Sequence, residues 1–246
     1  MKKPIKKYLL FGGIPFLIVL GLLLNFKQPL MVADWDDDVR VLAQTEISAD
    51  ESEIRFKGIR DWTYAKDLVL TEDYFAQTYQ LKDLEKVWFY LQPLDKSGLV
   101  AHTFVVFEFD EKYGDKKNIG VSVETRRRQG QEYSLLKGAL KGFMLVHTWA
   151  TEADLTSRRT DYYDYKLFKH ELVLSEADKK GLLKAFARET DKLHSNPQFY
   201  NTVTNNCTNA LAYYANQINP GSIPWHYSFV FTGKSVEYLK SLGYIK

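Results

Sequence analysis

Between Lys7 and Lys27 the chain runs nineteen residues, Tyr8 to Phe26, without a charge. This is its one strongly non-globular feature. As a helix rising about 1.5 Å per residue, the run roughly matches the hydrocarbon core of a bilayer. Lys2, Lys3, Lys6 and Lys7 precede it, whereas Lys27 is followed by Asp34, Asp36, Asp37 and Asp38. An excess of lysine on the N-terminal side sets that side in the cytoplasm and everything after Lys27 outside it. A cleaved signal peptide would need a shorter apolar core and a small-x-small site, and Val32-Ala33 lies several residues too far on. Residues 1–27 are therefore expected to comprise the cytoplasmic lysines and one uncleaved transmembrane anchor, Tyr8 to Phe26, with an extracytoplasmic body behind it.

That body has the composition of a folded protein, since the chain is 45% apolar and 15% aromatic, enough to bury a substantial core. The net charge is +2, and four of the positive charges are the lysines before the apolar run, so the remainder carries −2. A near-neutral body without a long basic stripe argues against nucleic acid as a partner. The short run Arg126-Arg127-Arg128 reads as a solvated strand end or as a contact to anionic lipid or phosphate.

Residues 28–60 read as an acidic juxtamembrane connector, and residues 61–246 as the extracytoplasmic domain. Strand signals begin at Leu84 to Leu91. From His102 to Asp110, Thr103, Val105, Phe107 and Phe109 alternate with His102, Phe104, Val106 and Glu108. A turn around Gly114-Asp115 leads to a second alternating run, with Ile119, Val121, Val123 and Thr125 on one face and Ser122, Glu124 and Arg126 on the other. The two runs are expected to pair antiparallel. Phe143 to Trp149 and Tyr162 to Leu174 are further strand candidates. Ser175 with Asp178 resembles a capping box, and Leu182, Leu183, Phe186, Ala187 and Leu193 recur at helical spacing. A second helix carries Ala210, Leu211, Tyr214, Ala215 and Ile218 on one face, which puts Cys207 in its first turn.

Cys207 is the one cysteine, so no intramolecular disulfide exists. Outside the cytoplasm an unpaired thiol is a liability unless it is buried or chemically employed. Thiolate is favoured at a helix start by unpaired N–H groups and aligned peptide dipoles, and the same groups can bind an oxyanion. The alternative is a small buried hydrophobe, against which stands the polar setting of Thr204 to Asn209. Spacing does not choose a base among the five histidines. His102 begins a strand whose neighbour carries Ser122, Glu124 and Arg126. His147 lies in an apolar strand and reads as a core residue, His170 and His194 read as surface residues, and His226 is the rival base. No His-x-x-x-His or paired cysteines suggest a metal, and no Gly-x-Ser-x-Gly suggests a serine hydrolase.

Taken together, the residues from His102 to Phe109, Val121 to Arg126, Pro197 to Asn209 with its Asn-Thr-x-Thr-Asn-Asn-Cys-Thr element, Ile223-Pro224-Trp225 and Leu242-Gly243 resemble a family. It is the bacterial Lnb-type domain, associated with lipoprotein N-acyltransferase activity, and the likeness runs from about Arg60 onwards. The resemblance implies an α+β fold of the permuted papain-like, NlpC type, with an antiparallel sheet packed on helices and the histidine strand ahead of the cysteine helix. It implies Cys207 as nucleophile and His102 as base, with Glu124 as the orienting residue and Ser122 as second choice. Arg126, Tyr200, Asn205, Asn206 and Thr208 are the implied substrate contacts. The implied partners are phospholipid and lipoprotein at the bacterial inner membrane, on the periplasmic side, with no cofactor and a monomeric chain. An apolar groove from the Trp62 to Tyr79 region would suit an acyl chain, although core packing explains those aromatics equally well. The enzymatic alternative is a cell-wall peptidase or amidase using the same dyad. The non-enzymatic one is a membrane-tethered binding module with a structural cysteine.

Overall fold

The computed structural model describes Gly21 and residues 26–246. Apart from Gly21 and Phe26, the expected transmembrane helix lies outside the described residues, among which no helix is long and apolar enough to cross a membrane. The chain folds as a mixed α+β domain built on one large sheet.

After a single helical turn, α1 (Asp37–Arg40), come five strands. They are β1 (Gln44–Ile47), β2 (Glu53–Arg60), β3 (Thr63–Ala65), β4 (Leu68–Thr71) and β5 (Tyr74–Gln80). The central strands are β6 (Leu84–Pro93), β7 (Ala101–Phe109) and β8 (Asn118–Arg126), followed by the short α2 (Leu135–Ala139) and β9 (Met144–Thr151). Helix α3 (Glu152–Ser157) runs into a π-helical turn, Arg158–Tyr162, before β10 (Phe168–Glu171). Three helices complete the chain: α4 (Glu176–Ser195), α5 (Cys207–Ile218) and α6 (Ser235–Ser241).

The sheet order is β1-β2-β9-β8-β7-β6-β10, with β5 paired to β2. From β9 to β10 all neighbours are antiparallel, including the expected pair β7 and β8. Val105, Phe107, Val121 and Val123 bury against Leu183 and Phe186 of α4 and Ala210 and Tyr214 of α5. The opposite face carries a smaller cluster of Tyr90, Phe104, Val106, Ala150 and Leu155, covered by α3. Gly120 permits that second packing: a Cβ there would lie 2.5 Å from Leu155 Cδ1 and 2.9 Å from Val106 Cγ2.

Residues 28–60 are not a detached connector. Ile54 and Phe56 alternate with Arg55 and Lys57 and are fully buried, so β2 is a sheet strand paired to β1 and β5. The acidic segment ahead of it fastens to the arginine run. Asp36 N–H donates to Arg127 O (3.0 Å) and Gln129 N–H to Asp34 O (2.9 Å). Arg127 pairs with Asp36 (3.0 Å) and Asp38 (3.4 Å), and Arg158 also reaches Asp38. The expected strand over Tyr162 to Leu174 contracts to β10, because its start belongs to the π-turn and Asp164 sits in the left-handed region at φ 56°.

Two buried polar groups hold this arrangement. Asp154, fully buried, takes Arg60 through Nη2 (2.6 Å) and Nε (2.9 Å), the Trp62 N–H (2.8 Å) and the Tyr64 hydroxyl (3.3 Å). It thereby joins β2 to α3. His147, a core residue as its apolar strand suggested, meets Thr190 through Nδ1 (2.9 Å) and the Tyr214 hydroxyl through Nε2 (3.0 Å). The Thr190 hydroxyl spends its proton on Phe186 O (2.7 Å). His147 Nδ1 must therefore donate, and Nε2 accepts from Tyr214.

Asp154→Ala is expected to cost about 3–5 kcal/mol in chemical denaturation, because it strands a buried guanidinium. The pair Arg60→Met with Asp154→Leu should recover much of that loss. Burial holds the His147 imidazole down from 6.5 to about 3. Unfolded chains therefore bind a proton that folded chains refuse between those values. Stability is complete above pH 6.5 and falls as pH drops towards 3. His147→Gln should flatten that acid limb in denaturation midpoints measured against pH.

Candidate functional site

The register of the sheet creates the site. The β7–β8 ladder ends at Phe104↔Ser122. Beyond it β7 stays paired to β6 as far as Pro93↔Ala101, and β8 to β9 as far as Arg126↔Met144. The two strands thus part while each keeps its other neighbour, and Cys207 at the start of α5 enters the gap from the helix face. Asn206 caps that helix: its Oδ1 accepts from Asn209 N–H (2.9 Å), and its Nδ2 donates to Thr202 O and Phe229 O (2.8 Å each).

His102 projects from the other face, beside Ser122 and Glu124. Its Nε2 lies 2.7 Å from Ser122 Oγ and 3.1 Å from Glu124 Oε1. Ser122 donates its own proton to Glu124 Oε1 (2.7 Å), so Nε2 must carry a hydrogen and donate. That leaves Nδ1 to exchange a proton with the thiol. Both candidates for the orienting residue are therefore present, the serine nearer and the carboxylate bonded to it.

A further residue completes the set. Arg159, from the π-turn, is buried over the Phe104 ring (4.4 Å) and donates through Nη2 to Glu124 Oε1 (3.0 Å) and Ser122 Oγ (3.2 Å). Sequence reasoning missed it, since Ser157-Arg158-Arg159 matches no motif. The one available signal was indirect: a carboxylate at Glu124 on an inward face needs a countercharge.

The electrostatics follow from these contacts. Burial raises the Cys207 thiol, but the His102 charge and hydrogen bonds from His102 and Thr103 outweigh it, bringing the thiol from 9.0 to about 7. Burial likewise lowers His102, yet the charges of Glu124 and Cys207 and its hydrogen bonds to them lift it from 6.5 to about 9. Glu124 loses solvent as well, and His102, Arg159 and Ser122 still hold it well below the usual carboxylate range. Each charge favours the other, so thiolate and imidazolium stabilise one another as a pair.

Cys207 and His102 open into a cleft of about 510 Å³, walled by Gln92, Tyr133, Tyr200 and Phe231 among others. That is ample for a small-molecule or chain segment. Tyr200 lines it, and burial followed by the Cys207 charge raises its hydroxyl. Asn206 also lines the cleft, but its amide is consumed in capping α5. Three expected contacts lie elsewhere. Arg126 stacks on Trp35 (4.4 Å) and donates to Val39 O (3.0 Å) and Arg40 O (2.8 Å). Asn205 donates to Phe199 O (3.1 Å). The Thr208 hydroxyl is buried against Thr103 (3.1 Å).

The Trp62 to Tyr79 aromatics do not reach the cleft. Trp62 packs on Tyr74 (6.0 Å) and Tyr79 on Phe109 (4.5 Å), so they are core. His226 stacks on Tyr238 (3.9 Å) outside the cleft, and His194 bonds Ala43 O (2.7 Å). Among the described residues no cluster of histidine, cysteine and carboxylates suits a metal ion.

The model of the Lnb N-terminal periplasmic domain matches residues 70–233, two thirds of the chain, spanning His102, Ser122, Glu124, Arg159 and Cys207. The chain belongs to this family. The domain is accordingly periplasmic, and the family assignment agrees with the likeness carried by the His102 and Cys207 segments. No curated protein and no solved structure matches the chain. Within this family member β1, β2 and the acidic segment before them lie ahead of the matched residues, although the sheet incorporates both strands.

Cys207 supplies the one thiol, so alkylation reads it without ambiguity. The rate with iodoacetamide should rise through a midpoint near pH 7. Glu124→Gln weakens the imidazolium and should move that midpoint upward, slowing alkylation below it by on the order of ten-fold for each unit moved. An unmoved midpoint would remove Glu124 from the relay.

Proposed function

We propose that this chain is a thiol-dependent lipoprotein N-acyltransferase. The observation that carries the reading is the Cys207 thiol at a helix start, set against a His102, Ser122, Glu124 and Arg159 relay, within a domain of the Lnb family. The architecture is read as a permuted papain-like one, in which the histidine strand precedes the cysteine helix. Residues Tyr8 to Phe26 serve as the single membrane anchor, and the enzyme acts as a monomer without a cofactor.

In this mechanism Cys207 Sγ attacks an ester carbonyl of a phospholipid or of a lipoprotein diacylglyceryl group. Cys207 and Thr208 occupy the first two positions of α5, where backbone N–H groups have no intrahelical partner, and they receive the developing oxyanion. Collapse breaks the carbon–oxygen bond, and the His102 imidazolium gives its proton to the leaving alkoxide. The acyl group is now a thioester on Cys207. The amino group of the lipoprotein's N-terminal cysteine attacks it, His102 takes the amine proton, and the thiolate departs. Glu124 and Arg159 stay charged throughout, holding the ring at its Nε2 edge while Nδ1 works.

Lipoproteins from cells making the wild-type protein should carry N-acyl chains by mass spectrometry, and those from cells making Cys207→Ser or His102→Ala should lack them. Identical lipid forms, with each variant folded and at equal abundance, would overturn the reading. Release of muropeptides by the wild-type protein in place of acyl transfer would identify an amidase instead.

A further inference from the structure

Four segments stand around the mouth of the cleft, and each holds apolar side chains in solvent. They are Leu94 and Leu99 in the β6–β7 connection, Leu135 and Leu136 on α2, Val203 ahead of α5, and Phe231 after the turn Tyr227–Phe229. Their exposures run from 40% to 68%. Single exposed leucines need no explanation, but these form one surface. Thr202 Oγ1 donates to Leu135 O (2.9 Å), Asn206 ties Thr202 O to Phe229 O (2.8 Å each), and Gly233 N–H donates to Leu99 O (2.9 Å). Leu94, Leu135, Val203 and Phe231 also line the cleft, whereas Leu99 and Leu136 stand outside it.

The place where the apolar run ends identifies what this surface meets. Lys27, the first charge after Tyr8 to Phe26, donates to Lys141 O and lies 5.6 Å over the Phe199 ring, with the Lys141 ammonium 5.4 Å from the same ring. Leu30 N–H reaches Met144 Sδ at 3.4 Å. Lys141 lies two residues after α2, and Phe199 begins the segment that carries Val203. The chain therefore joins the domain beside the apolar rim, through lysines that sit over an aromatic ring, a composition suited to the bilayer interface.

We propose that the rim is a membrane-docking surface: its apolar side chains enter the periplasmic leaflet, so that the cleft opens onto lipid and the Cys207 thiol is reached from the acyl region. The purpose assigned to the contact rests on the acyl-transfer reading; the contact itself does not. A single exposed cysteine tests it. In the full chain carrying Cys207→Ser, Leu99→Cys, Leu136→Cys or Val203→Cys is labelled with an environment-sensitive fluorophore. The protein is then reconstituted into phosphatidylcholine and phosphatidylglycerol vesicles containing nitroxide-labelled lipid. Ala76→Cys on β5 and Val173→Cys after β10 are the controls.

Quenching several-fold stronger at the rim than at the controls is expected. Rim and control labels quenched alike would overturn the proposal, including the case in which a protein partner covers the rim. In the chain that keeps Cys207, Leu99→Asp with Leu136→Asp should abolish acyl transfer from vesicle lipid while alkylation by water-soluble iodoacetamide proceeds at the wild-type rate. Undiminished transfer by this double variant would likewise overturn it. A quenched rim on a wild-type protein that transfers no acyl group would leave the docking surface standing and remove the acyltransferase reading.

Discussion

The parting of β7 from β8 after Phe104↔Ser122 is the constraint from which the site follows. A continuous ladder would separate the two faces of the sheet and keep a helix-borne thiol from a residue on the far side. By period-two alternation His102 shares a face with Phe104 and Val106, the face covered by α3, whereas α5 packs on the face of Val105 and Val123. The thiol meets the imidazole because the strands open there and the helix end fills the opening. The opening is itself held from both sides, by β6 against Ala101 and by β9 against Arg126. Behind β8 the arginine run clasps Asp36 and Asp38, which resists further splaying of that strand.

Charge balance explains why four ionised groups can share so small a space. Cys207 and Glu124 supply two negative charges, His102 and Arg159 two positive ones, and each lies beside its opposite. Removing any one leaves an uncompensated charge in a partly desolvated site, which is far more costly than removing a balanced pair. Arg159 has a second function in this balance. By sharing Glu124 Oε1 with His102 and Ser122, it helps to hold the carboxylate ionised, so that the proton on His102 Nε2 stays there. The π-turn that presents it belongs to the kind of helical irregularity that recurs at functional sites.

Much of this was readable from the residues. The α4 boundaries follow from the Ser175 cap and an apolar stripe, and the β7–β8 pairing from two clean alternations. The Cys207 helix start follows from the apolar face of Ala210, Leu211, Tyr214, Ala215 and Ile218, whereas the Asn206 cap emerges only in the structure. The failures have physical causes. In Glu53-Ile54-Arg55-Phe56-Lys57 the alternation is just as clean, but four of the eight residues of β2 are charged, and an acidic neighbour segment made the whole region look solvated. Arg55 and Lys57 stay on the exposed side, and the buried Arg60 is matched only after folding, when it finds Asp154 some ninety positions away. Arg159 shows the same limit. Its role is defined by a carboxylate on another strand, so no local window contains the information.

The Cys207 thiol and the His102 imidazole come from opposite faces of the sheet, so their alignment must be set by something that fixes the helix end along the strand. Thr103 and Thr208 fill that part. Each follows one member of the pair in sequence, and their hydroxyls meet at 3.1 Å inside the core. The strand thus holds the helix one residue past each reacting group, while the Asn206 cap fixes the turn on the other side of Cys207. A thiol bracketed in this way has little freedom to drift, which matters because a displacement of about 1 Å can cost two orders of magnitude in rate. The polar residues around Cys207 that resembled substrate contacts are therefore largely a positioning frame. The cleft walls are formed instead by Tyr200, Tyr133 and the apolar Leu94, Leu135, Val203 and Phe231.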